Sequence, residues 1–196
     1  MDAPKTLLVA TLLACLTACG STAPSRFYVL TPAAAVDDGA ASDLVVGVEL
    51  IGLPGSVDRP QMVSAVDPNE RTLSEFDRWA EDLGTNMARV VRQNLEQALG
   101  APVYEVPSRW MPPADYKVGL EIVAFDGTPE GACVLEARWH LADGSGNWVA
   151  THHARFESSA EGDGYGGVAE AMSANLSELS DAMAHSILGE PAPSGS

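Results

Sequence analysis

Residues 115–157 read DYKVGLEIVAFDGTPEGACVLEARWHLADGSGNWVATHHARFE and carry the clearest fold signal in the chain. Apolar and polar residues alternate in three runs, Asp115–Phe125, Cys133–Ala142 and Trp148–Glu157. This alternation is the period of a half-buried strand. The two links between the runs are short and rich in turn residues, so neighbouring strands are expected to pair antiparallel. The stretch therefore predicts a sheet with one face in the core and one in water.

The two faces of this sheet can be assigned from the alternation. The charged positions Glu121, Glu136 and Arg138 are expected on the wet face. The core face is expected to carry Val118, Leu120, Ile122, Leu135, Ala137, Trp139 and Leu141.

Two amphipathic helices are predicted around these strands. The first covers Ala80–Leu99, where apolar residues recur at three and four positions. Glu81 and Asp82 are expected in its first turn, where they complement the helix dipole, and Gly100 ends it. The second follows a Gly-rich connector at 161–167 and runs to Leu188 with the same spacing.

Five shorter runs complete the pattern and are predicted as strands. They are Arg26–Leu30, Leu44–Leu53, the hairpin pair Gln61–Val66 and Arg71–Glu75, and Ala101–Val106. The element order is then β-β-β-β-α-β-β-β-β-α. It predicts an α+β fold, with a single antiparallel or mixed β-sheet and two long helices packed on one face.

The N-terminus has the parts of a bacterial lipoprotein signal. Lys5 precedes the apolar run Leu7–Leu16, which is about ten residues long, whereas a membrane span needs roughly twenty. Leu16-Thr17-Ala18-Cys19 then matches the lipobox, in which the Cys thiol forms a thioether to diacylglycerol and cleavage occurs before it. Cleavage at an ordinary site nearby, or modification of Cys15, are the alternatives.

The predicted organisation follows from this signal. We expect a signal peptide at 1–18, an acylated Cys19 with a tether at 19–25, a single domain at 26–189 and a flexible tail at 190–196. Acyl chains, palmitate among them, would anchor the chain to the membrane. By analogy with lipoprotein sorting in enteric bacteria, Gly20 favours the outer membrane. Once Cys15 is removed and Cys19 acylated, only Cys133 remains as a thiol, so no intramolecular disulfide is expected.

Composition excludes several partner classes. The chain has 196 residues, of which 46% are hydrophobic, enough to close a core. It carries 11 Lys and Arg against 27 Asp and Glu, a formal net charge of −16. Nucleic acid needs a cluster of Lys and Arg, and electrostatic docking on anionic lipid needs a polybasic patch. We therefore expect no nucleic acid partner and no membrane contact other than through the acyl chains.

Catalytic and metal-binding patterns are absent from the sequence. No two His have the i, i+4 spacing of a zinc site, and the adjacent His152 and His153 would point to opposite faces of a strand. A G-x-S-x-G nucleophile elbow is missing, which argues against an envelope hydrolase. The Gly162–Gly167 loop lacks the G-K-[ST] ending of a phosphate loop. We predict no metal, no cofactor and no catalysis.

Two segments, Leu53–Val63 and Phe76–Leu83, combine bulky, charged and turn residues. A proline at a strand start cannot donate a ladder hydrogen bond, so the first segment is expected at a sheet edge with its arginine directed outward. In the alternative interpretation the arginines make local ion pairs and the tryptophan fills the core. The candidate partner-binding residues are Asp58, Arg59, Pro60, Arg78 and Trp79.

At these residues the chain resembles the ABC-type transport auxiliary lipoproteins, the PqiC-like family. The D-R-P-Q and R-W-A-E segments in this order are the most specific part of the resemblance. One departure is Asp82, where the family has Pro. The matching stretches are the lipobox, Arg26–Leu30, Val46–Leu50, Leu53-Pro54 with Asp58–Val63, Arg78–Glu81 and Asn94–Gly100.

The resemblance implies a periplasm-facing lipoprotein that works with an MCE-domain protein and a membrane permease to move lipids between the inner and outer membranes. It implies a tethering or positioning role without catalysis, and it leaves open whether the chain is a homo-oligomer. The alternative function is a stand-alone envelope lipoprotein that binds a lipid or another hydrophobic ligand between sheet and helices, with Met87, Met172 and Met183 lining the groove.

Overall fold

The architecture is described from a computed structural model of the chain. The predicted signal peptide, Cys19, Gly20 and the 190–196 tail lie outside the part that it describes. The described residues are 23–34, 43–129, 131–162 and 164–189.

The described residues form eight strands and two helices in the order that the sequence predicts. The strands are β1 (Arg26–Tyr28), β2 (Val46–Gly52), β3 (Gln61–Asp67), β4 (Glu70–Trp79), β5 (Val103–Glu105), β6 (Tyr116–Gly127), β7 (Ala132–Asp143) and β8 (Trp148–Ser159). The helices are α1 (Leu83–Leu99) and α2 (Tyr165–Leu188). Within the described ranges, neither helix combines the length and apolar character needed to cross a bilayer.

The prediction of a single sheet is wrong, because the strands divide between two mixed sheets. One has the order β1-β4-β3 and the other β5-β2-β6-β7-β8. Strand β4 continues to Trp79 instead of ending at Glu75, and its last three residues pair in parallel with β1. The smaller sheet then packs on the larger one through side chains, with the rings of Trp79 and Phe125 6.3 Å apart. The general α+β class is confirmed.

The larger sheet has the two-sided character expected from its sequence. All seven positions predicted for the core face are buried, whereas Glu121, Glu136 and Arg138 are partly exposed. Both helices pack against this sheet, and the Trp139 indole N–H donates to Ser186 of α2 at 3.0 Å. Deep in the same layer, Asn175 of α2 donates to the Cys133 carbonyl at 3.1 Å.

Helix α1 begins at Leu83, three residues later than the predicted start at Ala80, because the backbone up to Ala80 is still held in the smaller sheet. The Ala80 N–H donates to the Tyr28 carbonyl at 2.8 Å, which keeps that backbone in the sheet. Asp82 is the N-cap, and its carboxylate accepts the Thr85 N–H at 2.8 Å. Glu81 lies before the helix and pairs with Arg89. Gly100 ends the helix with a left-handed backbone, as expected.

Helix α2 begins inside the predicted connector. Its first residue is Tyr165, so Gly166 and Gly167 are helical. A Cβ on Gly167 would lie 2.1 Å from the Glu161 carbonyl oxygen, so this residue must be glycine for the chain to turn so tightly into the helix.

Candidate partner-binding surface

The Asp58–Pro60 segment follows a tight turn that is pinned to the core. The N–H groups of Val57 and Asp58 both donate to the Pro54 carbonyl, at 3.0 and 3.2 Å. The Val57 side chain is 4% exposed and belongs to the core. Since one end of the turn is anchored by burial, the residues that follow are held out into solvent.

Pro60 fixes the other end of the segment at a sheet edge. Its carbonyl accepts the Trp79 N–H at 2.8 Å, and β3 begins at the next residue. Strand β3 is an outer strand of the smaller sheet, in agreement with the position expected for a residue that has no N–H to donate.

Arg59 and Arg78 are available cations in an acidic protein. Arg59 is exposed and Arg78 is partly exposed. Within the described ranges, no ion pair or side-chain hydrogen bond involves either guanidinium, so the alternative of local ion pairs finds no support there. By contrast, carboxylates pair with Arg26, Arg71, Arg89, Arg92, Arg138 and Arg155.

Aromatic side chains flank Arg78 on the outer face of the smaller sheet. Phe27 of β1 and Gln61 of β3 are its direct cross-strand partners. Phe27 is 63% exposed, and Phe76, two positions before Arg78 on the same strand, is 41% exposed. An arginine between exposed aromatic rings is a composition enriched in protein interfaces.

Trp79 does not belong to this surface. Its side chain is 7% exposed and packs in the core beside Phe125. The structure thus agrees with the alternative interpretation, in which the tryptophan fills the core. The residues that can reach a partner here are Asp58, Arg59, Pro60 and Arg78.

Asp77 is a structural residue that the sequence analysis did not single out. Its carboxylate accepts hydrogen bonds from Arg26 Nε at 2.8 Å, Tyr28 Oη at 2.9 Å and Ser74 Oγ at 2.7 Å. Two of these donors lie on the three-residue strand β1, so the carboxylate fastens β1 to β4. The Ser74-x-x-Asp77 spacing is the one local signal of this arrangement in the sequence.

Two opposing effects act on the pKa of Asp77. Burial of the carboxyl group would raise it. The hydrogen bonds from Ser74, Arg26 and Tyr28, with the positive charge of Arg26, outweigh burial and hold the pKa below its ordinary value. The carboxylate is therefore charged at neutral pH.

An open, acidic cleft lies beside Asp58. It has a volume of about 420 Å³ and is bounded by β2, the 53–58 turn and the start of α1. Four carboxylates line it, those of Glu49, Asp58, Asp82 and Glu105. The pKa of Asp82 is lowered by the hydrogen bonds it accepts from Thr85. This concentration of negative charge disfavours an anionic ligand in the cleft.

The methionines proposed for a lipid groove are core residues. Met87, Met172 and Met183 are each no more than 1% exposed. The void that Met172 helps to line holds about 10 Å³, which is room for one water molecule at most. At these residues the space between sheet and helices is filled by side chains.

The histidines lie as the strand geometry predicts. His152 stacks on Trp139, with ring centroids 5.2 Å apart, and His153 contacts Glu136 at 2.7 Å on the opposite face. In the part of the chain that the structure describes, no three His, Cys, Asp or Glu side chains are placed to hold one metal ion.

Comparisons with known proteins relate this fold to one family. The family model described as "ABC-type transport auxiliary lipoprotein component" matches residues 28–184. A crystal structure titled only as an uncharacterized protein is 18% identical, with a TM-score of 0.69 and 84% of this chain and 99% of that chain covered. A Xanthomonas campestris protein assigned to the DUF330 family model is 16% identical, with a TM-score of 0.69 and 84% and 95% covered. At such identities the two structures show a shared fold alone. Among curated proteins none matches.

Proposed function

The chain belongs to the family of ABC-type transport auxiliary lipoprotein components, and from this premise we propose that it is a membrane-anchored accessory subunit of an MCE/ABC-type intermembrane lipid transport system. In this role it tethers or positions the transport assembly and carries out no catalysis. The match of the family model over 28–184 is the observation that carries the proposal, because it spans nearly the whole predicted domain.

The predicted anchor gives the subunit a limited reach. Seven residues, 19–25, separate the acylated end from β1. An extended chain spans at most about 3.6 Å per residue, so this tether would hold the domain within about 25 Å of the lipid. We propose that the anchor lies in the outer membrane and that the domain faces the periplasm, where it meets the MCE-domain protein and, through it, the permease.

The Asp58–Pro60 segment with Arg78 is the surface we propose for this partner. It combines a rigid edge position, two cations that no described carboxylate neutralises, and adjacent aromatic rings. A planar guanidinium can pair bidentately with a carboxylate on the partner, which gives direction as well as affinity.

Arg59→Ala is expected to weaken binding without weakening the fold. Truncating an arginine that is a binding hot spot costs about 2 kcal/mol or more of binding free energy, roughly a 30-fold loss of affinity. An exposed side chain without internal partners contributes less than about 0.5 kcal/mol to stability. The affinity for the co-purifying MCE-domain protein and the thermal melting temperature are measured on the same variant.

Arg155→Ala is the matched control for this experiment, because Arg155 is an exposed arginine that already pairs with Glu157. It is expected to leave binding unchanged. If Arg59→Ala lowers the melting temperature while binding stays at the wild-type level, Arg59 is a scaffold residue and this surface is not the partner site.

A further inference from the structure

One end of the larger sheet carries a second exposed aromatic surface. Lys117 of β6 pairs with Ala142 of β7, which pairs with Trp148 of β8, so the three strands meet there. The 106–115 loop leads into β6 at the same end. We refer to this surface as the β7–β8 end and define it by Arg109, Trp110, Lys117, His140 and Trp148.

Close packing holds the loop against the sheet. A Cβ on Gly47 of β2 would lie 2.8 Å from the Val106 side chain and 3.2 Å from the Met111 sulfur, so the loop crosses β2 at a glycine. A Cβ on Gly144 would lie 2.3 Å from the Ala114 carbonyl oxygen, so the β7–β8 turn packs directly on the loop. The loop and the turn therefore form one continuous surface.

The two tryptophans of this surface are strongly exposed. Trp110 is 84% exposed and Trp148 is 65% exposed. The Trp148 indole N–H donates to Thr151 Oγ1 at 3.2 Å, and its ring lies 4.8 Å from that of His140. His140 Nδ1 lies 3.1 Å from the same hydroxyl. An exposed indole already held in one orientation loses little side-chain freedom on binding, and tryptophan is enriched among binding hot spots.

The β7–β8 end carries two exposed cations, although the chain as a whole has a net charge of −16. Within the described residues, neither Arg109 nor Lys117 forms an ion pair. Two of the nearby carboxylates, those of Asp143 and Asp115, are engaged in local backbone contacts. Asp143 accepts the Ser145 and Asn147 N–H groups at 2.9 and 2.8 Å, and Asp115 accepts the Val45 N–H at 2.8 Å. Arg109 and Lys117 are therefore exposed cations that no described carboxylate neutralises through an ion pair.

The β7–β8 end lies far from the point where the tether enters the fold. Strand β1 lies beside the first turn of α2, since a Cβ on Gly166 would be 3.8 Å from the Tyr28 ring. The last turn of α2 lies at the other end, where Ser186 accepts the Trp139 N–H. The helix has 24 residues and is about 36 Å long, which separates the two ends.

We propose that the β7–β8 end docks an acidic, partly apolar segment of a protein partner. Trp110 and Trp148 supply the apolar contacts, and Arg109 and Lys117 face the carboxylates of that segment. A protein is favoured over an anionic membrane because the net charge of −16 repels anionic lipid and because the Trp148 N–H is already bonded within the protein. The inference rests on the proposed function, in which the anchored subunit belongs to a transport assembly. It adds a second contact, far from the anchor, to the proposed one at Asp58–Pro60 and Arg78, which lies beside β1.

The test is photo-crosslinking in cells that make the full chain. A benzoylphenylalanine is placed at Ser145, which is exposed in the β7–β8 turn. Asn69, exposed in the β3–β4 turn, is the matched control position. We expect a protein adduct from position 145 whose crosslinked peptide contains Asp or Glu. Trp148→Ala, or Arg109→Glu with Lys117→Glu, should reduce its yield at least 10-fold at an unchanged melting temperature.

The inference would be overturned by adducts from position 145 with phospholipid only, by a crosslinked peptide without carboxylates, or by no adduct above that at position 69. A yield unaffected by the charge reversals would do so as well. The identity of the captured protein is read separately from the chemistry of the peptide. A partner from outside the lipid transport assembly would contradict the proposed function and leave the docking chemistry intact.

Discussion

Cys19→Ala is expected to abolish acylation of the protein and, with it, the lipid anchor. The thiol is the only side-chain group that can form the thioether of a lipoprotein, so the variant should incorporate no labelled palmitate. Stable anchoring takes more than one acyl chain, and the acidic body has no polybasic patch to replace them. We expect an uncleaved precursor or a soluble product, measured by palmitate labelling and membrane fractionation.

Cys15→Ala is the matched control, since Cys15 lies in the same hydrophobic leader and is the alternative site of modification. It should label and fractionate like the wild type. If palmitate labelling persists in Cys19→Ala and is lost in Cys15→Ala, the acylated residue is Cys15 and the assignment to Cys19 is wrong. With Gly20 at the second position, the wild-type protein is expected with outer-membrane markers, and recovery in the inner membrane alone would contradict that assignment.

Asp77→Ala is expected to destabilise the fold more than any other substitution proposed here. The substitution removes a carboxylate that accepts hydrogen bonds from three side chains. Each hydrogen bond to a charged group contributes about 1.5–3 kcal/mol to the free energy of unfolding. Because Arg26 stays solvated when its partner is lost, we expect a net cost of about 3 kcal/mol. Such a loss lowers the melting temperature of a domain this size by roughly 6–12 °C.

The same carboxylate predicts a pH dependence. The folded-state pKa of Asp77 is lowered, so its contribution is fully present above the unfolded pKa of about 3.9 and disappears as the pH falls through the folded value. The stability difference between wild type and Asp77→Asn should therefore be constant near neutrality and shrink below about pH 4. Asp58→Ala, which removes an exposed aspartate, should change neither the stability at neutral pH nor its dependence on pH. A difference that persists unchanged at low pH would show that the Asp77 charge is not the cause.

The order of the elements could be predicted because the apolar period of a strand or a helix is a local property. The division into two sheets could not. The pairing of Phe27 with Arg78 joins residues about fifty positions apart, and nothing in either short run specifies the partner. The start of α1 cannot be predicted locally for the same reason, since the Tyr28 carbonyl accepts the Ala80 N–H that the first turn of a helix would leave free.

The candidate site was predictable in part. The edge position of Pro60 follows from its missing N–H, which is a property of the residue itself. The separation of Trp79 from Arg78 follows only once the register of β4 is known, because adjacent strand residues point to opposite faces. The role of Asp77 could not be predicted because two of its donors, Arg26 and Tyr28, come close to it only in the folded sheet.

An anchor exchange tests the tethering role most directly. A strain lacking this protein is complemented with the wild type, with soluble Cys19→Ala, or with Cys19→Ala joined to an unrelated outer-membrane anchor, and survival in detergent is measured as the readout of envelope lipid homeostasis. The account predicts that the unrelated anchor restores survival to the wild-type level and that the soluble variant does not. Full complementation by the soluble variant, at equal periplasmic abundance, would contradict it.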